Sequence, residues 1–174
     1  MFVLGIDPGL SRCGYGCLET VPGRRGARVP ARPVAVGVLT TPPSAPLPER
    51  LAELQRELRA LLVELHPDVL AIERVFFQVN VRTAMGVGQA SGIAMAEAVN
   101  AGCAVAQYSP NQVKEAVAGT GAATKEEVER MVQSLLGITS PLRPVDAADA
   151  VALALCHLAH APLLGQLART GTGR

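Results

Sequence analysis

The stretch Val69-Leu70-Ala71-Ile72-Glu73 is an unbroken apolar run that ends in an acid. A run of this length suits a strand that is buried on both faces, and such a strand requires helices on both sides of its sheet. Before it, leucines recur at spacings of three and four from Leu47 to Leu65, which predicts an amphipathic helix that Pro67 ends. The sequence therefore predicts an α/β fold at its centre.

Other segments extend this pattern in both directions. Short apolar runs predict strands at 2–6, 14–18, 33–40 and 105–108. Periodic apolar residues predict helices at 83–101, 110–118, 124–136 and from 146 to about 160, and Thr124 with Glu127 fits a capping box. The order β-β-β-α-β-α-β-α-α-α predicts a five-stranded mixed sheet with helices on both faces.

The length of the chain favours a single domain. Of its 174 residues we expect 1–162 to form one domain and 163–174 to form a flexible C-terminal tail. The segment 20–32 is rich in Arg, Gly and Pro and is expected to be a flexible loop.

Bulk charge and cysteine usage narrow the class of protein. The formal net charge is +1, from 16 basic and 15 acidic residues, so any nucleic-acid surface must be local. The four cysteines contain no C-x-x-C pair, which favours reduced thiols and a cytoplasmic location. We find no secretory signal and no apolar run of the length of a membrane span, so we expect no membrane association.

Four acids are the main candidates for chemistry. Asp7 and Glu73 each end an apolar strand, and open α/β sheets place their sites at the carboxyl ends of strands. Asp146 and Asp149 are three residues apart, which places both on one face of a helix. The alternatives are that Asp7 and Glu73 only solvate strand ends, and that Asp146 is an ordinary helix N-cap. Asp149 lies among apolar residues, where a carboxylate needs a partner charge or a metal.

A cluster of acids requires positive charge. Three of the chain's four aspartates belong to this set, and gathered carboxylates repel one another unless cations neutralise them. Hard oxygen ligands without a supporting His or Cys cluster indicate Mg²⁺ or Mn²⁺ rather than zinc. Two such ions about 3.5–4 Å apart can activate water and stabilise the leaving oxygen of a phosphodiester. The set therefore suits phosphoryl transfer.

Lysines and phenylalanines are candidate contacts to nucleic acid. Lys114 and Lys125 are the only lysines in the chain and flank one helical hairpin, although solvated surface lysines are the simpler interpretation. Phe76 and Phe77 follow Glu73 and either pack within a loop or stack on an unpaired base. His157 and His160 are interpreted as packing or solvated residues rather than ligands.

One helix carries small residues at a regular interval. Gly88, Gly92 and Ala96 are spaced by four within the predicted helix 83–101. This spacing lets a neighbouring backbone approach closely and indicates a packing face.

Several separated motifs resemble the RuvC family of crossover junction endodeoxyribonucleases, the Holliday junction resolvases. The resemblance covers nearly the whole chain and follows the order of the family's motifs. The matching stretches are Gly5-Ile6-Asp7-Pro8-Gly9 with Gly14-Tyr15-Gly16, Ala71-Ile72-Glu73-Arg74-Val75-Phe76, Gly88-Gln89-Ala90, Ser109-Pro110 with Val113-Lys114, Thr124-Lys125 with Met131-Val132, and Asp146-Ala147-Ala148-Asp149-Ala150 with Cys156-His157.

This resemblance implies a ribonuclease-H-like fold and a divalent-metal-dependent endonuclease of DNA recombination and repair. It implies a homodimer that nicks two opposed strands of a four-way junction, with a branch-migration complex of the RuvA and RuvB type as partner. The acids that bind Mg²⁺ or Mn²⁺ in the family, two ions per site, fall on Asp7, Glu73, Asp146 and Asp149.

The resemblance also assigns candidate DNA and dimer contacts. The DNA-binding candidates are Lys114, Lys125, Phe76, Phe77 and Arg82. Phe76 falls where the family has the aromatic that probes the junction centre. The glycine-rich helix falls on the family's dimer element, so the interface candidates are Gly88, Gly92 and Ala96. Three features depart from the family pattern: the longer segment 20–32, Ser91 and Cys13. These departures affect the expected dimer and DNA contacts and not the metal site.

The sequence leaves two alternative functions to consider. An ATP-dependent phosphotransferase of the actin and sugar-kinase type also ends its first strand in an Asp, but it needs two lobes. A catalytically silent junction-binding relative would share the fold. Retention of all four acids disfavours it, because clustered negative charge opposes DNA binding.

Overall fold

The computed structural model describes residues 1–21, 31–74 and 81–170, with the side chains of 81–83 and 162–170 left aside. This part of the chain contains five strands and five helices. They are β1 (Phe2–Asp7), β2 (Arg12–Thr20), β3 (Ala31–Thr40), α1 (Leu47–Leu65), β4 (Val69–Glu73), α2 (Val81–Asn100), β5 (Ala104–Tyr108), α3 (Pro110–Ala118), α4 (Lys125–Leu136) and α5 (Val145–Thr170).

The strands form one mixed sheet in the order β3-β2-β1-β4-β5. The first three strands are an antiparallel meander, whereas β4 pairs parallel to β1 and β5 pairs parallel to β4. β1 and β4 are thus neighbours that run in the same direction. The predicted five-stranded mixed sheet is confirmed.

Helices cover both faces of the sheet, as the buried strand β4 predicted. Leu70 and Ile72 pack with α1 and α2 on one face, while Ala71 packs with the second core that α3, α4 and α5 cover. All three side chains have no solvent exposure. Alternation along β1 follows the same rule, with Leu4 and Ile6 on the α1 side.

The two helices of the first layer are joined by a buried acid. Glu97 of α2 is 3% exposed and accepts hydrogen bonds from Arg59, at 2.8 and 2.9 Å, and from Gln55 at 2.6 Å. These hydrogen bonds lower the pKa of Glu97 to about 2. This contact fixes how α2 lies on α1.

Several predicted boundaries differ from the observed ones. β2 and β3 extend into the segment expected to be a loop, because Thr20 pairs with Ala31 and a salt bridge joins Glu19 to Arg32. Residues 22–30 lie outside the described residues. α5 continues to Thr170, beyond the predicted end near 160, so most of the expected tail 163–174 is helical. The division into a domain at 1–162 and a tail stays a prediction.

Within the described residues, no helix combines the length and apolar character that crossing a bilayer demands.

Candidate metal and nucleic-acid site

Asp7 and Glu73 lie side by side at one edge of the sheet. Each is the last residue of its strand, and the parallel register that pairs Ile6 with Ile72 brings the two acids next to each other. Asp7 lies four residues after Val3 in β1 and Glu73 lies two residues after Ala71 in β4, and both Val3 and Ala71 belong to the core beneath α5. Alternation therefore directs both carboxylates to the α5 face.

Glycines let α5 lie unusually close to that face. A Cβ on Gly5 would collide with the carbonyl oxygen of Ala150, and one on Gly14 would collide with that of Asp146. Gly16, the register partner of Gly5, lies against Val151 in the same way. This close approach brings the first turns of α5 to the ends of β1 and β4.

Three of the four predicted acids share a cavity of about 240 Å³. Asp7, Glu73 and Asp149 line it together with Lys114 and Lys125. Asp146 does not line this cavity, although its negative charge acts on Asp7. The fold thus gathers acids that are far apart in the chain, and it places both lysines beside them.

Two of the acids in the cavity, Asp7 and Glu73, have raised pKa values. Burial, followed by the negative charges of the other three acids, raises the pKa of Asp7 from 3.8 to about 7. Burial and the charge of Asp149 also raise the pKa of Glu73. Lys125 acts against both shifts, because its positive charge favours the ionised carboxylates.

The two acids of α5 have basic partners. Lys125 Nζ lies 2.7 Å from Asp149 Oδ2. Arg12 donates to Asp146 Oδ2 from Nε at 2.9 Å and from Nη2 at 2.7 Å. In this arrangement no three histidine, cysteine or acidic side chains of the described ranges 1–21, 31–74 and 81–170 lie close enough together to hold one ion.

The N-cap alternative for Asp146 is wrong. α5 begins at Val145, so Asp146 lies inside the first turn, and its carboxylate pairs with Arg12 instead. Arg12 was not among the predicted site residues. Only its position at the start of β2, after the turn that follows Asp7, could have indicated it.

Both lysines are placed by helix starts that the sequence encodes locally. Thr124 and Glu127 form the predicted capping box, with hydrogen bonds of 2.8 and 3.2 Å between backbone and side chain. Lys125 is consequently the first residue of α4. α3 begins with a second capping box and carries Lys114 in its second turn.

Comparison with known proteins decides the family. The family model "Crossover junction endodeoxyribonuclease RuvC" matches residues 3–157. The chain belongs to the RuvC family. It is 52% identical to the crossover junction endodeoxyribonuclease RuvC of Salinispora arenicola over 158 residues, which cover 91% of this chain and 87% of that one.

Solved RuvC structures share the fold. The structure of Thermus thermophilus RuvC superposes with a TM-score of 0.86 at 37% identity, covering 94% of this chain and 96% of that one. T. thermophilus RuvC in complex with Holliday junction substrate gives a TM-score of 0.83 at 34% identity, with the same shares covered. The predicted ribonuclease-H-like fold and endonuclease class are confirmed.

The predicted dimer face of this RuvC chain lies on the outside of α2. Gly88, Gly92 and Ala96 are all exposed, and a Cβ on either glycine would meet no atom within 4 Å. The same helix buries its opposite side, Ala90-Ala94-Ala98, against the core. The small residues therefore do not pack against the part of the chain that the structure describes, and Met85 and Val99 extend their exposed apolar face.

Some predicted RuvC site residues lie outside what the structure describes. Phe76 and Phe77 belong to the segment 75–80, and the side chain of Arg82 is likewise outside the described residues. His157 is buried and its Nδ1 lies 2.8 Å from the hydroxyl of Tyr108, which agrees with a packing role.

Proposed function

We propose that this chain resolves four-way DNA junctions by metal-dependent hydrolysis of one phosphodiester in each of two opposed strands. The observation that carries the proposal is the cavity in which Asp7, Glu73 and Asp149 face two lysines. Acids that hold cations and lysines that hold phosphates are the two components that phosphodiester hydrolysis needs. The relative solved with a Holliday junction substrate supports the choice of DNA.

Asp7, Glu73, Asp146 and Asp149 are the proposed metal ligands. The raised pKa of Asp7 fits a cation site, because burial and, after it, three neighbouring acids make the ionised form of Asp7 unfavourable until positive charge arrives. Oxygen ligands alone fit Mg²⁺ or Mn²⁺, and we propose two ions per site. When bound, these ions would supply an activated water and stabilise the leaving oxygen.

The chain's own cations have two tasks in this proposal. Lys125 neutralises Asp149 while the cavity is free of metal, and its side chain is 59% exposed, so that it can also reach a phosphate. Lys114 lines the same cavity from α3, and we assign it to the DNA backbone. Phe76, Phe77 and Arg82 remain proposed DNA contacts.

We propose that two chains associate through α2, which would present two cavities to the two opposed strands. The exposed face of Gly88, Gly92 and Ala96 supports this, because small side chains permit close helix contact and Met85 and Val99 add apolar area. A branch-migration complex of the RuvA and RuvB type is the proposed partner. The four cysteines are buried and unpaired, which fits the proposed cytoplasmic location.

The test is cleavage of a synthetic four-way junction with Mg²⁺ or Mn²⁺, beside a linear duplex of the same sequence. We expect symmetric nicks in the junction only, and their loss in D7N, E73Q, D146N and D149N with junction binding retained. The matched control is Asp68→Asn, since Asp68 is the remaining aspartate and its carboxylate accepts the backbone N–H of Phe2, away from the acid cavity. Binding without cleavage by the unchanged chain would instead identify a silent junction-binding relative.

A further inference from the structure

Arg12 holds Asp146 from outside the acid cavity. Arg12 opens β2, and both of its hydrogen bonds end on the single oxygen Oδ2 of Asp146. Half of the Arg12 side chain and 31% of the Asp146 side chain are exposed. The pair is therefore a surface contact that another cation can displace.

The turn that precedes Arg12 is firmly attached to the rest of the fold. Thr41 Oγ1 donates to the carbonyl oxygen of Leu10 at 2.6 Å, and Arg50 Nη2 donates to Ser11 Oγ at 2.6 Å. These bonds fix the backbone from which Arg12 extends. The position of this backbone consequently keeps the Arg12 guanidinium within hydrogen-bond distance of Asp146 in α5.

The acids differ in how their charge is neutralised. Asp149 and Asp146 each pair with a basic side chain, from α4 and β2 respectively, whereas Asp7 and Glu73 have no salt bridge among the residues that the structure describes. Asp146 is also the one acid of the four that does not line the cavity. Its partner Arg12 does not line the cavity either.

We propose that Arg12 competes with the divalent metal for the negative charge of Asp146, so that ions bind first at Asp7 and Glu73 and gain Asp146 only in competition with Arg12. The proposal rests on the metal site of the proposed function. An oxygen that accepts two N–H groups from a guanidinium has its negative charge already engaged. A metal at Asp146 therefore meets a carboxylate that Arg12 already neutralises in part, which makes Arg12 a positioning residue that weakens metal binding in the DNA-free protein.

The experiment is calorimetric titration of the full chain with Mn²⁺, without DNA. Arg12→Ala should tighten Mn²⁺ binding by roughly two- to fivefold, the range that follows from the strength of an exposed ion pair. In the Asp146→Asn background the same change should have no effect, because the partner is gone. This double-mutant cycle separates a specific contact from a general loss of positive charge.

Arg32→Ala is the matched control. Arg32 also pairs an exposed guanidinium with a carboxylate, that of Glu19, but at the opposite end of β2, and its removal should leave Mn²⁺ affinity unchanged. Thermal unfolding without metal verifies that each variant is folded. Equal affinity of Arg12→Ala and the unchanged chain, or an equal gain in the Asp146→Asn background, overturns the role of Arg12 while the metal site stands. Absence of any Mn²⁺ binding by the unchanged chain overturns both proposals.

Discussion

Removing the charge of Asp7 should make the metal-free protein more stable at neutral and alkaline pH. Asp7→Asn keeps the size of the side chain and eliminates an ionised group that the fold makes unfavourable. The folded pKa of about 7 lies above the ordinary value of 3.8, so the folded state binds more protons than the unfolded state between these values. Stability therefore falls as pH rises from about 4 to about 7.

The size of the effect follows from these two pKa values. Their difference, at about 1.4 kcal/mol per pH unit, corresponds to ~4 kcal/mol at a pH well above 7. Relaxation of the neighbouring acids and entry of water reduce this value, so we expect Asp7→Asn to raise the free energy of unfolding by about 2–4 kcal/mol at pH 8. Near pH 4 the two proteins should be equally stable, because Asp7 is then protonated in the folded protein.

The assay is urea unfolding of both proteins at several pH values in the presence of EDTA. Glu97→Gln is a control in which the change in stability should have the opposite sign. The Glu97 carboxylate is stabilised by Arg59 and Gln55, so its removal should destabilise the protein at pH 8. Mn²⁺ should reverse the order of Asp7→Asn and the unchanged chain, because bound metal stabilises only a folded chain that retains the site. If the gain in the free energy of unfolding that Asp7→Asn produces is no larger at pH 8 than at pH 4, the four acids do not converge as described.

Three further changes test other parts of the structure. Gly5→Ala should cost about 1–3 kcal/mol or more in urea unfolding, because its Cβ would collide with the backbone of Ala150, whereas Gly92→Ala should leave stability nearly unchanged. Gly92→Leu should keep the fold by circular dichroism and shift the sedimentation of the proposed dimer towards monomer; an unchanged dimer would exclude this face. Tyr108→Phe should lower stability by about 1–3 kcal/mol, since it leaves buried His157 without its hydrogen-bond partner, and an unchanged midpoint would contradict that contact.

Much of the site was accessible from local sequence. The apolar run before Glu73 predicted a strand buried on both faces, and the capping box of Thr124 placed Lys125 at the start of its helix. The spacing of Asp146 and Asp149 predicted a shared helix face. In each case the controlling interactions lie within a few residues, where periodicity and backbone hydrogen bonds are decided.

Other features depend on residues that are remote in the chain. The pairing of Arg12 with Asp146 joins residues 134 positions apart, and only the place of Arg12 after the turn that follows Asp7 could have indicated it. The predicted loop 20–32 was too long, because pairing between β2 and β3 continues as far as Thr20 and Ala31. In the sequence Gly5 is only part of a motif that the family shares, whereas its close contact with α5 is visible only in the fold.

By itself, the sequence determined the element types, the two-sided burial of β4 and the identity of the acids, since short-range periodicity and side-chain chemistry carry that information. The tertiary structure alone decided that β1 and β4 are neighbours, that α5 lies on the glycines of β1 and β2, and that Arg12 and Lys125 neutralise the acids of α5. The reason is physical: these contacts depend on strand order and on the distance between layers, which are set by the packing of the whole core.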